Sequence, residues 1–421
     1  MKSPYILINV LMFIFTISNY LTVHGQEETK EPLAKLWNIK NDETPKYLSI
    51  EKNLSIVDGI LKSILDDDNF GGTFINVFQN MIFINTLNFT KAEEIKKNTE
   101  IRQYINLLNF TRANNSTAKL SSRFQDIDNL AKSYIPKFCM GYMNSEINNI
   151  IIASCNETRN EINNTAFINA INDRMYYPIF TYYNCFNLSN NEISSRKSGG
   201  IVNRDIENRI LAGDGMDVVE GICSVGFWAR SQQNINFIAT VGHCYEPGFG
   251  SYYLYPWNST TPTALIGNME FHVLEPIDFG LIRISNESII QPVPSVRNTD
   301  YERYRELPIN DIISVSSNGA HLCFSGFSSH VRCGYVVALN GFTSDGEYYN
   351  NNIFVVNKLP SAQGDSGGPV FSYKNLSHVS LNGILMGGLY DFDDNINGIA
   401  GVVTINSILN LFQGLEVVTV S

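Results

Sequence analysis

The second half of this chain reads as an all-β protein and the first half as a small α+β unit. Three observations carry that reading. From Ile210 onward, short runs of Val, Ile, Phe, Tyr and Thr are separated by Gly, Asn, Asp, Ser and Pro at frequent intervals, without long helical periods. Before about Asn190, three segments have helical spacing and are followed by short β-rich runs. Between the halves the composition turns to Ser, Asn, Gly and charge, including Ser194-Ser195-Arg196-Lys197-Ser198-Gly199-Gly200, as a linker would. Roughly 210 residues of short strands suit two packed antiparallel barrels.

In chain order, Met1 and Lys2 precede an apolar run from Tyr5 to about Ile17, and a small residue stands at a cut after Gly25. The run is shorter than the ~20 residues a spanning helix needs, so residues 1–25 are read as a secretory signal peptide and the product as secreted and extracellular. Residues 53–65, 92–108 and 121–135 each mix an apolar stripe with charges and are expected to be helical. Ile150-Ile151-Ile152 and Phe180-Thr181-Tyr182-Tyr183 are expected strands. Residues 26–209 hold no catalytic constellation. Their cysteines, Cys139, Cys155 and Cys185, leave one unpaired if two bridge, and the sequence does not say which. Their spacing does not suit a metal site, and neither metal nor cofactor is expected.

Residues 190–209 are the expected linker and the expected place of a proteolytic cut, near Gly199 or after Arg209. Beyond it, expected strands are 222–228, 237–241, 279–284, 312–315, 336–339, 353–356, 368–371 and 383–387, with one helix at 405–415. The net charge of -11 argues against nucleic acid or an anionic membrane as partner. Sequons at Asn53, Asn88, Asn109, Asn114, Asn115, Asn156, Asn163, Asn187, Asn258, Asn286 and Asn375 make a glycoprotein the expectation.

The chemistry centres on Gln363-Gly364-Asp365-Ser366-Gly367-Gly368-Pro369. A serine hydroxyl needs a base to take its proton and donors to hold the oxyanion it creates. Glycines at 364, 367 and 368 let the backbone turn so that the N–H groups of Gly364 and Ser366 point at one spot. Gly364, Ser366 and Gly368 also fit a G-x-S-x-G nucleophile elbow, which requires its acid and histidine downstream of the serine. The downstream histidine, His378, stands only a dozen residues on. Upstream lie Thr240-Val241-Gly242-His243-Cys244 and Pro276-Ile277-Asp278-Phe279-Gly280, giving the order His, Asp, Ser.

These stretches, with Cys223-Ser224-Val225-Gly226-Phe227, Cys323-Phe324-Ser325-Gly326 and Arg332-Cys333-Gly334, resemble in order the α-lytic protease and streptogrisin branch of the chymotrypsin-like serine proteases. The likeness covers residues 210–421. It implies an all-β double six-stranded barrel with the active site between barrels, preceded by an α+β pro-domain bound intramolecularly. It implies His243 as base, Asp278 as its orienting acid, Ser366 as nucleophile, and Gly364 and Ser366 as oxyanion donors. It also implies disulfides Cys223–Cys244 and Cys323–Cys333, and protein or peptide substrates cleaved by a monomer. Arg209-Ile210-Leu211-Ala212-Gly213 looks like the activation junction of trypsin-like zymogens.

Three departures matter. Ala362 stands where a third disulfide's cysteine would precede the serine. Phe324 replaces an arginine that pairs with the buried aspartate equivalent to Asp365, and the amino terminus of Ile210, freed by a cut after Arg209, is the expected substitute. Met386 stands where the substrate strand often has a serine. Pro360, Gln363, Met386, Gly387 and Gly388 are the expected pocket residues and suggest a neutral side chain, although acids between Tyr390 and Asn397 would suit a basic one. A secreted esterase and a catalytically inactive secreted binding protein are the other classes considered.

Overall fold

The computed structural model describes residues 29–186 and 209–420, apart from residues 219–220, 249, 260, 393 and 395. The expected signal peptide, the linker stretch with Gly199, and the Asn187 sequon lie outside the described residues. Among the described residues no helix is long and apolar enough to cross a membrane.

The first half opens with the helices Pro32–Trp37 and Thr44–Ile64. In the longer one, Leu54, Val57 and Leu61 follow the three- and four-residue spacing of one helix face. All three are fully buried against Phe70, Ile75, Ile82 and Ile84 of a three-stranded sheet. That sheet joins Phe70–Asn76, Met81–Thr86 and Leu108–Arg112. The helix expected at 92–108 is instead a short helix, Phe89–Ile95, a 3-10 stretch, Arg102–Leu107, and then the third strand. The helix Thr117–Tyr134 starts where the Ser116 hydroxyl accepts the Lys119 N–H at 3.2 Å, satisfying one of the orphan donors of the first turn.

The second half is built on two large, mainly antiparallel sheets, as its sequence predicts. The first has eight strands, in the order Leu415–Val417, Phe227–Ser231, Asn236–Thr240, Phe279–Ile284, Ala264–Val273, Tyr252–Tyr255, Gly215–Val218 and Gly221–Ser224. The run expected as one strand at 222–228 is two, because the chain turns at Gly226, whose N–H donates to Ala239. The second sheet centres on His321–Gly326, His330–Ser344, Pro369–Asn375 and His378–Tyr390, with Tyr349–Asn357 and Gly398–Thr404 paired alongside. One core runs through both, from Phe227, Leu281 and Phe279 to Phe371, Leu381 and Ile384. The helix expected at 405–415 stops at Leu411, and the chain then adds Leu415–Val417 to the first sheet.

Both sheets exceed six strands, and three of the second sheet's twelve come from the first half. Cys139–Asn144 of the first half pairs antiparallel with the far end of His330–Ser344, from Tyr142 opposite Gly341 to Cys139 opposite Ser344. Asn149–Cys155 and Ile179–Tyr183 follow in the same sheet. The α+β unit is therefore continuous with the second barrel through main-chain hydrogen bonds. Cys155 pairs with Cys185, and Cys139 stays free and buried.

Candidate active site

The strand Asn236–Thr240 is buried along its whole length and delivers the chain to a single 3-10 turn, Gly242–Cys244. A Cβ on Gly242 would lie 2.2 Å from the Val273 carbonyl oxygen, so only glycine lets the turn press against the neighbouring strand. His243 projects from this turn with its side chain 43% exposed. Asp278, buried at the head of Phe279–Ile284, grips it twice. The His243 N–H donates to Asp278 Oδ1 at 2.9 Å, and Nδ1 hydrogen-bonds Oδ2. The second bond fixes the tautomer, with the proton on Nδ1. Among the described residues Nε2 has no partner, which leaves it free to act as a base.

Burial alone would lower the His243 pKa. The charge and hydrogen bond of Asp278, with the charge of Asp345, outweigh it and hold the imidazole above its ordinary value.

Ser366 is placed from the other barrel. Gly364 and Gly367 have φ of 101° and 88°, the left-handed region that glycine enters freely. The loop is pinned to the strands bearing Ser224 and Thr240. The Ser224 N–H donates to the Ser366 carbonyl at 2.8 Å, and its hydroxyl donates to the Gly364 carbonyl at 2.7 Å. The same hydroxyl accepts the Phe327 N–H at 2.9 Å, and the Ser224 carbonyl accepts the Thr240 hydroxyl at 3.0 Å. Thr240 is three residues from His243, and the neighbours of Ser224 and His243 are joined by the Cys223–Cys244 disulfide. The Cys323–Cys333 disulfide links directly opposed residues of adjacent strands. Among the described residues the N–H groups of Gly364 and Ser366 have no acceptor.

Asp365 is fully buried, and the structure supplies most of its donors from the backbone. Oδ1 accepts the N–H groups of Ser328 and Ser329 at 2.9 and 2.8 Å, and Oδ2 accepts that of Ala362 at 2.7 Å. Burial nonetheless pushes this carboxyl above its ordinary range, against those bonds. In this continuous chain Ile210 is buried within the strand Arg209–Ala212, and Arg209 forks Glu306 at 2.7 and 2.8 Å. Where an arginine is missing, the Asp365 carboxyl is thus met by the Ser329 side chain and three amides, with no cation among its hydrogen-bond partners in the described residues. Ser224, Thr240, Ser328 and Ser329 are supports to which the sequence assigns no role, although Ser224 and Thr240 lie inside the stretches that carry the resemblance.

The expected pocket residues gather beside this loop. Leu385 exchanges hydrogen bonds of 2.8 Å with Gly367 and Gly368, so Met386, Gly387 and Gly388 run past the serine. A Cβ on Gly387 would meet nothing within 4 Å, whereas Pro360 lies buried against Gly398. Gln363 is exposed, its carbonyl held by the Ser328 hydroxyl at 2.5 Å. Two of the nearby acids are engaged: Asp391 accepts the Asn184 N–H at 2.6 Å, and Asp394 accepts those of Ile396 and Asn397 at 2.7 and 3.0 Å. Among the described residues one group has metal-ligand spacing, Cys155, Glu157 and Cys185, but its sulfurs are bonded to each other.

Two barrels carrying His, Asp and Ser in that chain order, with the serine loop seated on the histidine-bearing barrel, decide the architecture. The fold is that of the chymotrypsin-like serine proteases. No family model matches the chain, and no curated protein matches it in sequence. Among solved structures it is similar to Thermobifida fusca Protease A, at 24% identity and a TM-score of 0.41, over 50% of this chain and 100% of that one. It is similar to Nocardiopsis protease at 20% and 0.40, and to Cellulomonas bogoriensis chymotrypsin at 20% and 0.39, again over 50% of this chain and 100% of each of those.

Proposed function

We propose that the chain is a secreted serine endopeptidase, made as a zymogen, in which His243, Asp278 and Ser366 hydrolyse peptide bonds through an acyl-enzyme. Ser366 Oγ attacks the scissile carbonyl while His243 Nε2 takes its proton. The carbonyl oxygen becomes an oxyanion held by the N–H groups of Gly364 and Ser366. His243 returns the proton to the leaving amine, and Asp278 stabilises the transient imidazolium. Water, deprotonated by the same imidazole, then releases the acid and frees the serine. The observation that carries this reading is the two-point hold of Asp278 on His243, which leaves Nε2 without a partner among the described residues.

Residues 26–209 are read as the pro-region and 210–421 as the protease, acting as a monomer on peptide substrates. The cut is placed near Gly199 or after Arg209, and a cut after Arg209 would first have to free that residue from its strand and its pair with Glu306, beside buried Ile210. Open space at Gly387 beside Met386 favours a neutral side chain in the pocket.

Labelling with a serine-directed phosphonate tests the assignment. The processed protein is expected to take up one label and the Ser366→Ala chain none. A processed protein that takes up no label would make it a catalytically inactive binding protein.

A further inference from the structure

Eleven sequons stand in the sequence, and the fold treats them differently. At Asn286 and Asn375, both exposed, the asparagine side-chain oxygen is held by the third residue of its own motif. Asn286 Oδ1 accepts the Ser288 N–H at 3.0 Å and the Ser288 hydroxyl at 2.6 Å. Asn375 Oδ1 accepts the N–H and the hydroxyl of Ser377, each at 2.9 Å, and Ser377 Oγ also lies 2.8 Å from His378 Nδ1. Both turns are anchored: the middle residue Glu287 accepts Asn236 Nδ2 at 2.6 Å, and Leu376-Ser377 close the hairpin between the paired residues Asn375 and His378. With Oδ1 so engaged, Nδ2 of Asn286 and of Asn375 has no partner among the described residues.

The other sequons lack this combination. Asn88, Asn115 and Asn156 already donate from Nδ2, to Asn69 Oδ1 at 3.0 Å, the Asn148 carbonyl at 3.0 Å and Asn184 Oδ1 at 2.7 Å. Those bonds tie residues 19, 33 and 28 apart in the chain, and a sugar on the same nitrogen would displace them. Asn53 and Asn163 lie within helices, where residues two apart do not face each other. Asn109 lies within a strand, which sets residues two apart at roughly 7 Å. In the Asn114 motif the Ser116 hydroxyl faces the Lys119 N–H instead, at 3.2 Å. Asn187, and the Thr260 that completes the Asn258 motif, lie outside the described residues.

We propose that Asn286 and Asn375 carry N-linked oligosaccharides, one on each barrel at the end away from the active site. In the transfer, Nδ2 loses a proton and bonds to the anomeric carbon of a lipid-linked oligosaccharyl diphosphate. The bond from that carbon to the diphosphate oxygen breaks, and the diphosphate leaves with the electron pair. The donor belongs to the secretory pathway, so the inference rests on the secretory part of the proposed function and not on its catalysis. Each turn is closed within three residues, so it can form in the emerging chain before any tertiary contact exists. The finished fold then accommodates the sugar, because no bond of Nδ2 has to be given up. Asn286 lies just past the strand Phe279–Ile284, which Asp278 heads, and Asn375 ends the strand Pro369–Asn375, which starts just after Ser366. At ~3.3 Å per residue both lie roughly 20 Å from the candidate triad, so the glycans leave the cleft open.

Glycopeptide mapping of the full Ser366→Ala chain, secreted from a eukaryotic cell behind a supplied leader, tests this. The leader makes the result independent of residues 1–25, and the substitution makes it independent of the catalytic assignment. Peptide N-glycosidase in heavy-oxygen water is expected to mark Asn286 and Asn375 as former glycan sites and to leave Asn88, Asn115 and Asn156 unmarked. Ser288→Ala and Ser377→Ala should each remove one glycan, read as a single step in electrophoretic mobility, whereas Ser288→Thr and Ser377→Thr should retain it. An unmarked Asn286 or Asn375 in the secreted chain overturns the proposal, and so does a glycan on Asn88, Asn115 or Asn156 of the folded product.

Discussion

Ser224 holds Ser366 in place: its N–H donates to the Ser366 carbonyl at 2.8 Å while its hydroxyl bridges the Gly364 carbonyl and the Phe327 N–H. The expected nucleophile is therefore positioned by a strand of the opposite barrel. Ser224→Ala would leave a buried carbonyl and an amide without their partner, at a cost of about 1–3 kcal/mol. It should lower the urea midpoint and slow phosphonate labelling of Ser366, and an unchanged labelling rate would contradict a positioning role.

The pH profile follows from His243. The base must be neutral to work, so kcat/KM should rise with pH as the imidazole loses its proton. Because Asp278 and Asp345 hold that proton more tightly than usual, the rise is expected above the ordinary histidine value of ~6.5. Asp278→Asn should move the limb downward and cut kcat on the order of 10⁴-fold while the chain stays folded. A kcat/KM titration on a peptide substrate reads both effects. A limb unmoved in the variant would remove Asp278 from its assigned role.

The site was more legible than the scaffold under it. His243, Asp278 and the glycines around Ser366 sit in short stretches whose chemistry is local, so residue type and order single them out as candidates. The support of Asp365 was not legible, because backbone N–H groups of Ser328 and Ser329 carry no sequence mark. A missing arginine suggested a substitute cation, whereas the fold answered with amides and a serine side chain. The strand Cys139–Asn144 was missed for a related reason. Its Cys, Met, Gly, Tyr, Met and Asn have no alternation, being buried on both faces between the helices of the first half and the second barrel. Residues 92–108 misled in the opposite direction, their helical spacing giving way to a 3-10 turn and an edge strand.

Cysteine chemistry gives a third test. Peptide mapping without reduction should return Cys155–Cys185, Cys223–Cys244 and Cys323–Cys333. Cys139 is free, and burial pushes its thiol up to about 12, so it should resist alkylation in the folded chain and react once denatured. Removing Cys223 and Cys244 together should cost ~3 kcal/mol of stability. Native labelling of Cys139, or any other pairing, would count against the structure.

Two glycines near the serine should respond in opposite ways to the same substitution. Gly367 combines φ of 88° with a close approach, since an added Cβ would lie 2.1 Å from the Thr240 hydroxyl oxygen. Gly367→Ala must either strain the backbone or push the serine loop off the histidine-bearing strand, so a loss of more than about 2 kcal/mol and of phosphonate reactivity is expected. Gly387 has neither constraint, for its added Cβ would meet nothing within 4 Å. Gly387→Ala should change stability by no more than about 0.5 kcal/mol, while Gly387→Val, by filling the open space, should raise KM for large side chains before it lowers kcat. Chemical denaturation and a panel of peptides differing at one residue would separate these outcomes. If Gly387→Val left the order of preferred side chains untouched, the open space beside Met386 would not be the specificity pocket.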